Sequence, residues 1–144
     1  MRSSIRASAG FSLMELMIVL VIMGILVSIG YPSYIGYIEG ARRTDGIGAL
    51  LTLATKQEKY YSNAGSYTND MRLLGYSADP ALSAEEFYQI DSVLAAGGQN
   101  YTLTATRFGV HVSDTLCGDL VLTSTGIKTA VNNSSTKPIK ECWE

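Results

Sequence analysis

Residues 11–31 read FSLMELMIVLVIMGILVSIGY, an almost unbroken apolar run that contains a single carboxylate, Glu15. As an α-helix rising ~1.5 Å per residue, this run would be about 30 Å long, which matches the hydrocarbon core of a bilayer. An ionised acid in such a segment costs about 2.5–3.5 kcal/mol at the bilayer centre and less near the interface. A helix that served only as an anchor would have an apolar residue there, so Glu15 indicates a further role.

The ten residues before this run, MRSSIRASAG, carry Arg2 and Arg6, contain no acid and end in Gly10. Their small residues precede the apolar run, whereas an ordinary secretory signal places its cleavage site after it. Cleavage after Gly10 would leave a protein that begins with its own hydrophobic helix; the alternative is an uncleaved anchor with a short cytoplasmic tail. On either interpretation the two arginines keep the N-terminus cytoplasmic, and the chain beyond Tyr31 lies across the membrane.

The size and charge of the chain limit its function. With 144 residues, there is room for one small domain besides the hydrophobic helix. The net charge of −2 becomes −4 without the two leader arginines, which argues against a general nucleic-acid binder but leaves a local basic stripe open.

The two cysteines, Cys117 and Cys142, lie in the part of the chain expected outside the cytoplasm. An even cysteine count in that compartment predicts a disulfide. A zinc site is disfavoured because the spacing is not CxxC and no histidine pair stands nearby. Closing a loop of about 25 residues would stabilise the domain by about 3–4 kcal/mol.

Helical periodicity continues beyond the apolar run and predicts one helix from Phe11 to about Tyr61, which ends at the turn residues 63–65. Pro32 removes one backbone hydrogen bond and is expected to kink this helix. Beyond Pro32 the helix becomes amphipathic, with polar residues, Arg43 among them, expected on the face away from the domain.

Strand patterns occupy the last third of the chain. They cover Phe87–Val93, Tyr101–Phe108, Asp119–Ser124 and Ile127–Ala130. Residues 66–86 read as a loop with a short helical turn at 81–86. The predicted fold class is therefore α+β: a long N-terminal helix packed on a three- or four-stranded antiparallel sheet, followed by a disulfide-closed C-terminal loop.

Gly10, Phe11 and Glu15, at the head of the apolar run, resemble the class III signal of type IV prepilins. The resemblance implies that a prepilin peptidase cleaves between Gly10 and Phe11 and that the new Phe11 amine is N-methylated. It further implies that Glu15 serves assembly and that the subunit, held first in the inner membrane with a periplasmic domain, polymerises with other pilins through an inner-membrane machinery into an extracellular pilus. The implied divisions are a leader (1–10), a transmembrane or filament-core half-helix (11–31), an amphipathic half-helix (32–62), a connecting loop (63–86) and the sheet with its disulfide-bounded region (87–144).

The segments YTLTATR, CGDLVLTSTGIKT and the terminal Cys142-Trp143 pair resemble minor pilins of the PilE and ComP type. Some of these bind DNA during uptake through a basic surface near the disulfide loop. For this chain, the resemblance makes Arg107, Lys128, Lys137 and Lys140 the candidate DNA contacts. The alternative is that these cations are an ordinary solvated surface, partly offset by Asp119 and Glu141.

Enzymatic signals are poor. The single histidine, His111, lies between strands and is expected to be a surface or loop residue, with no nucleophile motif near it. Asp114 and Asp119 are too few oxygens for calcium and are expected to be solvated. We therefore expect no catalytic site, metal or cofactor. The expected function is a structural pilus subunit that supports adhesion, twitching motility or DNA uptake. The alternatives are a DNA-binding uptake pilin, a type II secretion pseudopilin and a plain anchored periplasmic domain.

Overall fold

The computed structural model describes residues 11–134 and 138–144. Its first element is helix α1, Leu13–Ala64, which ends within a few residues of the predicted position. Gly65, at φ 72°, follows the last helical residue, and its N–H donates to the Tyr61 carbonyl at 2.8 Å. This left-handed glycine stops the helix while pairing a carbonyl of the last turn. The chain divides into two compact units, one ending at Tyr37 and the other beginning at Ile38.

The first unit is the N-terminal part of α1. Every described residue from Phe11 to Tyr37 is exposed, although most are apolar. Pro32 lies inside the helix, and the kink expected there remains a prediction. A surface this apolar needs lipid or other helices to cover it.

The second unit contains a five-stranded antiparallel sheet in the order β1-β2-β3-β4-β5. The strands are β1 (Ala81–Leu82), β2 (Tyr88–Leu94), β3 (Tyr101–Arg107), β4 (Asp119–Thr123) and β5 (Lys128–Val131). A 3₁₀ segment, Gly109–Ser113, lies between β3 and β4, and a short helix α2, Ile139–Cys142, follows β5. The antiparallel sheet is confirmed, and the last four strands lie within a residue or two of their predicted positions.

The count of three or four strands is wrong, because β1 forms where a helical turn was expected. Asp45 of α1 accepts hydrogen bonds from the Ser83 hydroxyl (2.5 Å) and from the Glu85 N–H (3.2 Å). Ser83 Oγ in turn accepts the Tyr88 N–H at 3.0 Å. These bonds form a tight turn that brings residues 81–82 back alongside β2, where Ala81 pairs with Ile90.

The core lies between the sheet and the domain half of α1. Leu50 and Leu53 are fully buried against apolar residues of the central strands. A Cβ atom at Gly46 would lie 2.7 Å from Cδ2 of Tyr88, so the Tyr88 ring can pack this closely on the helix because residue 46 is a glycine. The buried residues of α1 recur every three or four positions: Arg43, Gly46, Leu50, Leu53 and Gln57. Arg43 was expected on the polar face, and its burial corrects that expectation.

Candidate functional sites

The N-terminal end of α1 is the first candidate site. Phe11 is 85% exposed, Glu15 stands in the first helical turn, and Gly10 lies outside the described residues. A carboxylate in the first turn complements the partial positive charge of unpaired N–H groups there. By length and composition, α1 is the one helix among the described residues that could cross a membrane.

The second candidate site is the disulfide-bounded region. Cys117 and Cys142 are bonded, as predicted, with their Cα atoms 5.5 Å apart and both residues buried. Trp143 Nε1–H donates to the Thr129 carbonyl at 3.0 Å, which fastens the residues after the disulfide onto β5.

The structure separates the cations predicted to contact DNA. Lys128 and Lys140 line one surface hollow with Trp143, and Lys128 Nζ lies 5.4 Å from the Trp143 ring centroid. Lys140 Nζ is 3.3 Å from Glu144 Oε1, so part of its charge is offset. Lys137 lies outside the described residues.

Arg107 is not part of that hollow. Its Nε is 3.0 Å from Asp119 Oδ1, and its NH1 donates to the Asp114 carbonyl at 2.6 Å. Asp119, which was expected to be solvated, is buried and also accepts from Asn132 Nδ2 at 2.7 Å. With its guanidinium engaged in this way, Arg107 is poorly suited to contact a phosphate.

A buried ion pair joins α1 to the segment before the disulfide. Arg43 donates from Nε to Asp114 Oδ2 at 2.6 Å and from NH2 to Oδ1 at 3.1 Å. The Leu116 and Cys117 N–H groups also donate to Oδ1. Burial would raise the pKa of Asp114, but the hydrogen bonds and charge of Arg43 outweigh it and hold that pKa below its usual value. The expectation that Asp114 is solvated is therefore wrong.

His111 is fully buried in the 3₁₀ segment, so the expectation that it lies on the surface is wrong. Its Nε2 is 2.8 Å from the hydroxyl of Tyr88, which is also fully buried. The two rings meet edge to face, with centroids 5.0 Å apart. Inside the domain, the Tyr88 hydroxyl needs a hydrogen-bond partner, and the imidazole supplies it.

Comparison with known proteins assigns the family. Residues 5–31 match the family model described as "Prokaryotic N-terminal methylation motif". Residues 32–121 match the model described as "Type IV minor pilin ComP, DNA uptake sequence receptor". The chain belongs to the type IV pilin family. This pilin is therefore a structural protein rather than an enzyme, as its sequence predicted.

Curated relatives and a solved structure agree with this assignment. The pilin is 32% identical over 104 residues to the fimbrial protein EcpC of Eikenella corrodens, covering 72% of this chain and 65% of EcpC. It is 29% identical over 111 residues to the type IV major pilin protein PilE of Neisseria gonorrhoeae, covering 76% of this chain and 62% of PilE. The matched part thus spans less than two thirds of these relatives.

The solved structure of a type IV pilin from Shewanella oneidensis has the same fold. It matches 74% of this chain and 98% of its own, with a TM-score of 0.50 and 24% identity. The predicted pilin fold is thereby confirmed. The N-terminal methylation motif and the apolar N-terminal part of α1 are consistent with a membrane-anchored prepilin.

One pair of basic residues in this pilin, Lys56 and Lys59, was not among the predicted DNA contacts. Lys56 and Lys59, on the last turns of α1, line a cleft with Leu73 and Gly75, and Arg72 lies in the same turn as those two residues. Lys56 Nζ lies 3.7 Å from the Tyr76 ring centroid. Among the described residues, Lys56, Lys59 and Arg72 form no ion pair. The spacing of Lys56 and Lys59 on one helix was visible in the sequence, whereas the loop residues that complete the cleft are brought there only by folding.

Proposed function

We propose that this pilin is a minor subunit of a type IV pilus, cleaved between Gly10 and Phe11, N-methylated at Phe11 and assembled through the exposed half of α1. The supporting observation is that described residues 11–37 are all exposed although most are apolar. Before assembly, the inner membrane covers this surface, with the N-terminus cytoplasmic and the domain periplasmic; afterwards, the helices of other pilin subunits cover it in the extracellular filament. A type II secretion pseudopilin is disfavoured, because the matching family model describes a minor pilin.

Glu15 is the residue to which we assign assembly. Once the leader is removed, the Phe11 amine is a positive charge at a helix end that is already partly positive. Burying that charge in a filament is costly unless a negative group pairs with it. Glu15 lies about one helical turn further along, so the amine of an incoming subunit can meet the Glu15 carboxylate of a neighbour. Apolar helices slide easily along one another, and one buried ion pair selects a single axial offset.

Mass spectrometry of sheared surface filaments tests the processing. We expect the subunit to begin at a methylated Phe11, and a Gly10→Val variant to remain in the inner membrane at precursor mass. Surface filaments that carry the chain with Met1 still attached would overturn the proposed function.

The role of Glu15 is tested by measuring what fraction of the subunits in those filaments is each Glu15 variant. Glu15→Val should be cleaved and inserted normally but be strongly depleted from filaments, and Glu15→Asp should be intermediate because its reach is shorter. Leu16→Val, a neighbouring exposed position, is the matched control and should assemble normally. Normal assembly of Glu15→Val would show that Glu15 has no role in assembly, and it would not affect the conclusion on processing.

DNA uptake is the second candidate function. The family model that matches residues 32–121 describes a DNA uptake sequence receptor. The cleft lined by Lys56 and Lys59 supports it, because neither lysine forms an ion pair with a described residue, Tyr60 lines the same cleft, and Lys56 lies over the Tyr76 ring. Lys128 and Lys140, in the disulfide region, are the weaker candidates for DNA contacts, because Glu144 offsets the charge of Lys140.

The salt dependence of duplex binding by the full-length pilin in detergent distinguishes these surfaces. Each phosphate contact contributes about 0.9 to the slope of log K against log salt. We expect Lys56→Ala and Lys59→Ala each to flatten the slope by about that amount, and Lys128→Ala by about as much if the disulfide region also takes part. Lys140→Ala, whose charge is already offset, should change the slope least. No binding at low salt would remove the DNA function and leave the structural one.

A further inference from the structure

The 3₁₀ segment Gly109–Ser113 exposes two apolar side chains and buries its histidine. Val110 and Val112 are 68% and 58% exposed, while His111 between them is fully buried. Burying the imidazole and leaving two β-branched apolar side chains in water reverses the usual preference of these residues. The reversed arrangement therefore depends on the contacts that His111 makes inside the domain.

Those contacts suit only a neutral imidazole. Nε2 bonds to the Tyr88 hydroxyl, and Nδ1 is the one buried side-chain nitrogen or oxygen among the described residues that has no hydrogen-bond partner. With the proton of the neutral ring on Nε2, which then donates to the Tyr88 hydroxyl, Nδ1 is an unprotonated nitrogen; the imidazolium adds an N–H at Nδ1 that has no acceptor among the described residues. Five ionisable groups face the ring: Arg42 and Arg43 from α1, Tyr88 from β2, Arg107 from β3, and Asp114 from its own segment.

These neighbours oppose a further positive charge. The one carboxylate, Asp114, has its Oδ2 3.7 Å from Nε2 and is already engaged by Arg43. Burial lowers the pKa of His111, the three arginines lower it further, and Asp114 only partly compensates.

The segment also has the means to move. Gly109 (φ 57°) begins it, and the only atom near the position of a Cβ there is the Glu86 carbonyl oxygen at 4.0 Å, so close packing does not hold this residue. At the other end, Asp114 follows the segment and is held by Arg43, and the disulfide at Cys117 lies just beyond. A roll of residues 109–113 about Gly109, with Asp114 still paired with Arg43, would bring the imidazole to water and the two valines towards the interior.

We propose that residues 109–113 form a pH-operated latch: neutral His111 holds the segment closed on Tyr88, and the imidazolium opens it. The proton comes from solvent and stays on the ring. The closed form binds it less readily than the open form, so opening increases as the pH falls below about 6.5. Between that pH and the pKa of the closed form, the ratio of open to closed molecules rises about tenfold per pH unit.

The single histidine makes the test direct. In full-length pilin in detergent micelles, exchange at the imidazole C2 position gives the pKa of His111. Amide exchange, corrected for the intrinsic effect of pH, gives the opening of residues 108–117 and of core residues 50–57. We expect a pKa below 6.5, and opening of 108–117 that has a smaller free energy than the opening of 50–57 at every pH, is constant above pH 7 and becomes easier as the pH falls below about 6.5.

Three variants separate the latch from a merely buried histidine. His111→Gln should remove the pH dependence. Tyr88→Phe, which keeps the ring packing, should increase opening at neutral pH and bring the His111 pKa closer to 6.5. Val110→Ser with Val112→Ser should reduce opening, since only the open form buries these side chains, whereas Val93→Ser, at a comparably exposed position, should not.

Two results would overturn the latch. One is a His111 that titrates without any change in the exchange of residues 108–117. The other is equal protection of residues 108–117 and 50–57 against exchange at pH 5, which would mean that the whole domain opens as one unit.

Discussion

Replacing Asp114 with asparagine should be among the most damaging conservative changes in the domain. The carboxylate is fully buried and accepts four hydrogen bonds, two of them from Arg43. Asparagine has the same shape, but it lacks the charge and can place an NH₂ group against the Arg43 Nε–H. Removing one partner of a buried ion pair costs about 3–5 kcal/mol, because the other charge is left buried and unpaired.

The lower end of that range applies here. Arg43 NH2 is 3.7 Å from Glu39 Oε2, so the guanidinium keeps one partially buried carboxylate nearby. We therefore expect a loss of about 3 kcal/mol in the free energy of unfolding, which for a domain of this size lowers Tm by roughly 12 °C. Circular dichroism melting of the full-length pilin in detergent would measure it.

Two further variants show whether charge is the cause. Glu144→Gln breaks the exposed pair with Lys140 and should change stability by less than about 0.5 kcal/mol. Arg43→Met combined with Asp114→Leu removes both charges and should recover most of the loss, since apolar replacements of buried pairs are often nearly neutral. An unpaired Arg43 charge is not the cause of the loss if Asp114→Asn melts within 3 °C of the wild type, or if the double variant is less stable than the single one.

Three other predictions concern the same domain. Cys117→Ser should cost about 3–4 kcal/mol and open the residues after β5 to limited proteolysis, which intact protein should resist. Gly118→Ala should cost at least about 1–2 kcal/mol by thermal melting, because its φ is +64° and a Cβ there would contact the Val131 carbonyl; Gly126→Ala, at φ +80° in open space, carries only the backbone strain. Acid should destabilise the fold: the pKa values of Asp114 and Asp119 are lowered from 3.8, so the unfolded chain takes up protons first and Tm should fall below about pH 4.

Features that depend on local pattern could be predicted from the sequence. The apolar run and the later 3- and 4-residue spacing are sufficient for α1, and alternation with turn residues is sufficient for β2–β5. The pairing of Cys117 with Cys142 follows from there being only two cysteines, both in a part of the chain that the sequence predicts to lie outside the cytoplasm. The signature of Gly10, Phe11 and Glu15 is equally local, which explains why the family could be identified before any tertiary contact was known.

The polar interior could not be predicted in this way. Arg43 and Asp114 are 71 positions apart, and Tyr88 and His111 are 23 apart, so no local pattern marks either pair. Composition and exposure preferences placed Asp114 and His111 on the surface, because isolated polar groups are costly to bury. The fold reverses that preference by supplying each with a partner. Strand β1 depends in the same way on Asp45 reaching Ser83 from α1.

The candidate sites differ in the same way: one can be recognised from the local sequence, and the others depend on tertiary contacts. A charge at a helix end, such as Glu15, is recognisable from its neighbours in the chain, because the helix itself determines its surroundings. A surface cation is different, because its use depends on which carboxylate lies beside it. Arg107 is engaged by Asp119, while Lys59 forms no ion pair with any described residue, and only the tertiary structure decides this, since ion pairing acts between atoms brought together by folding.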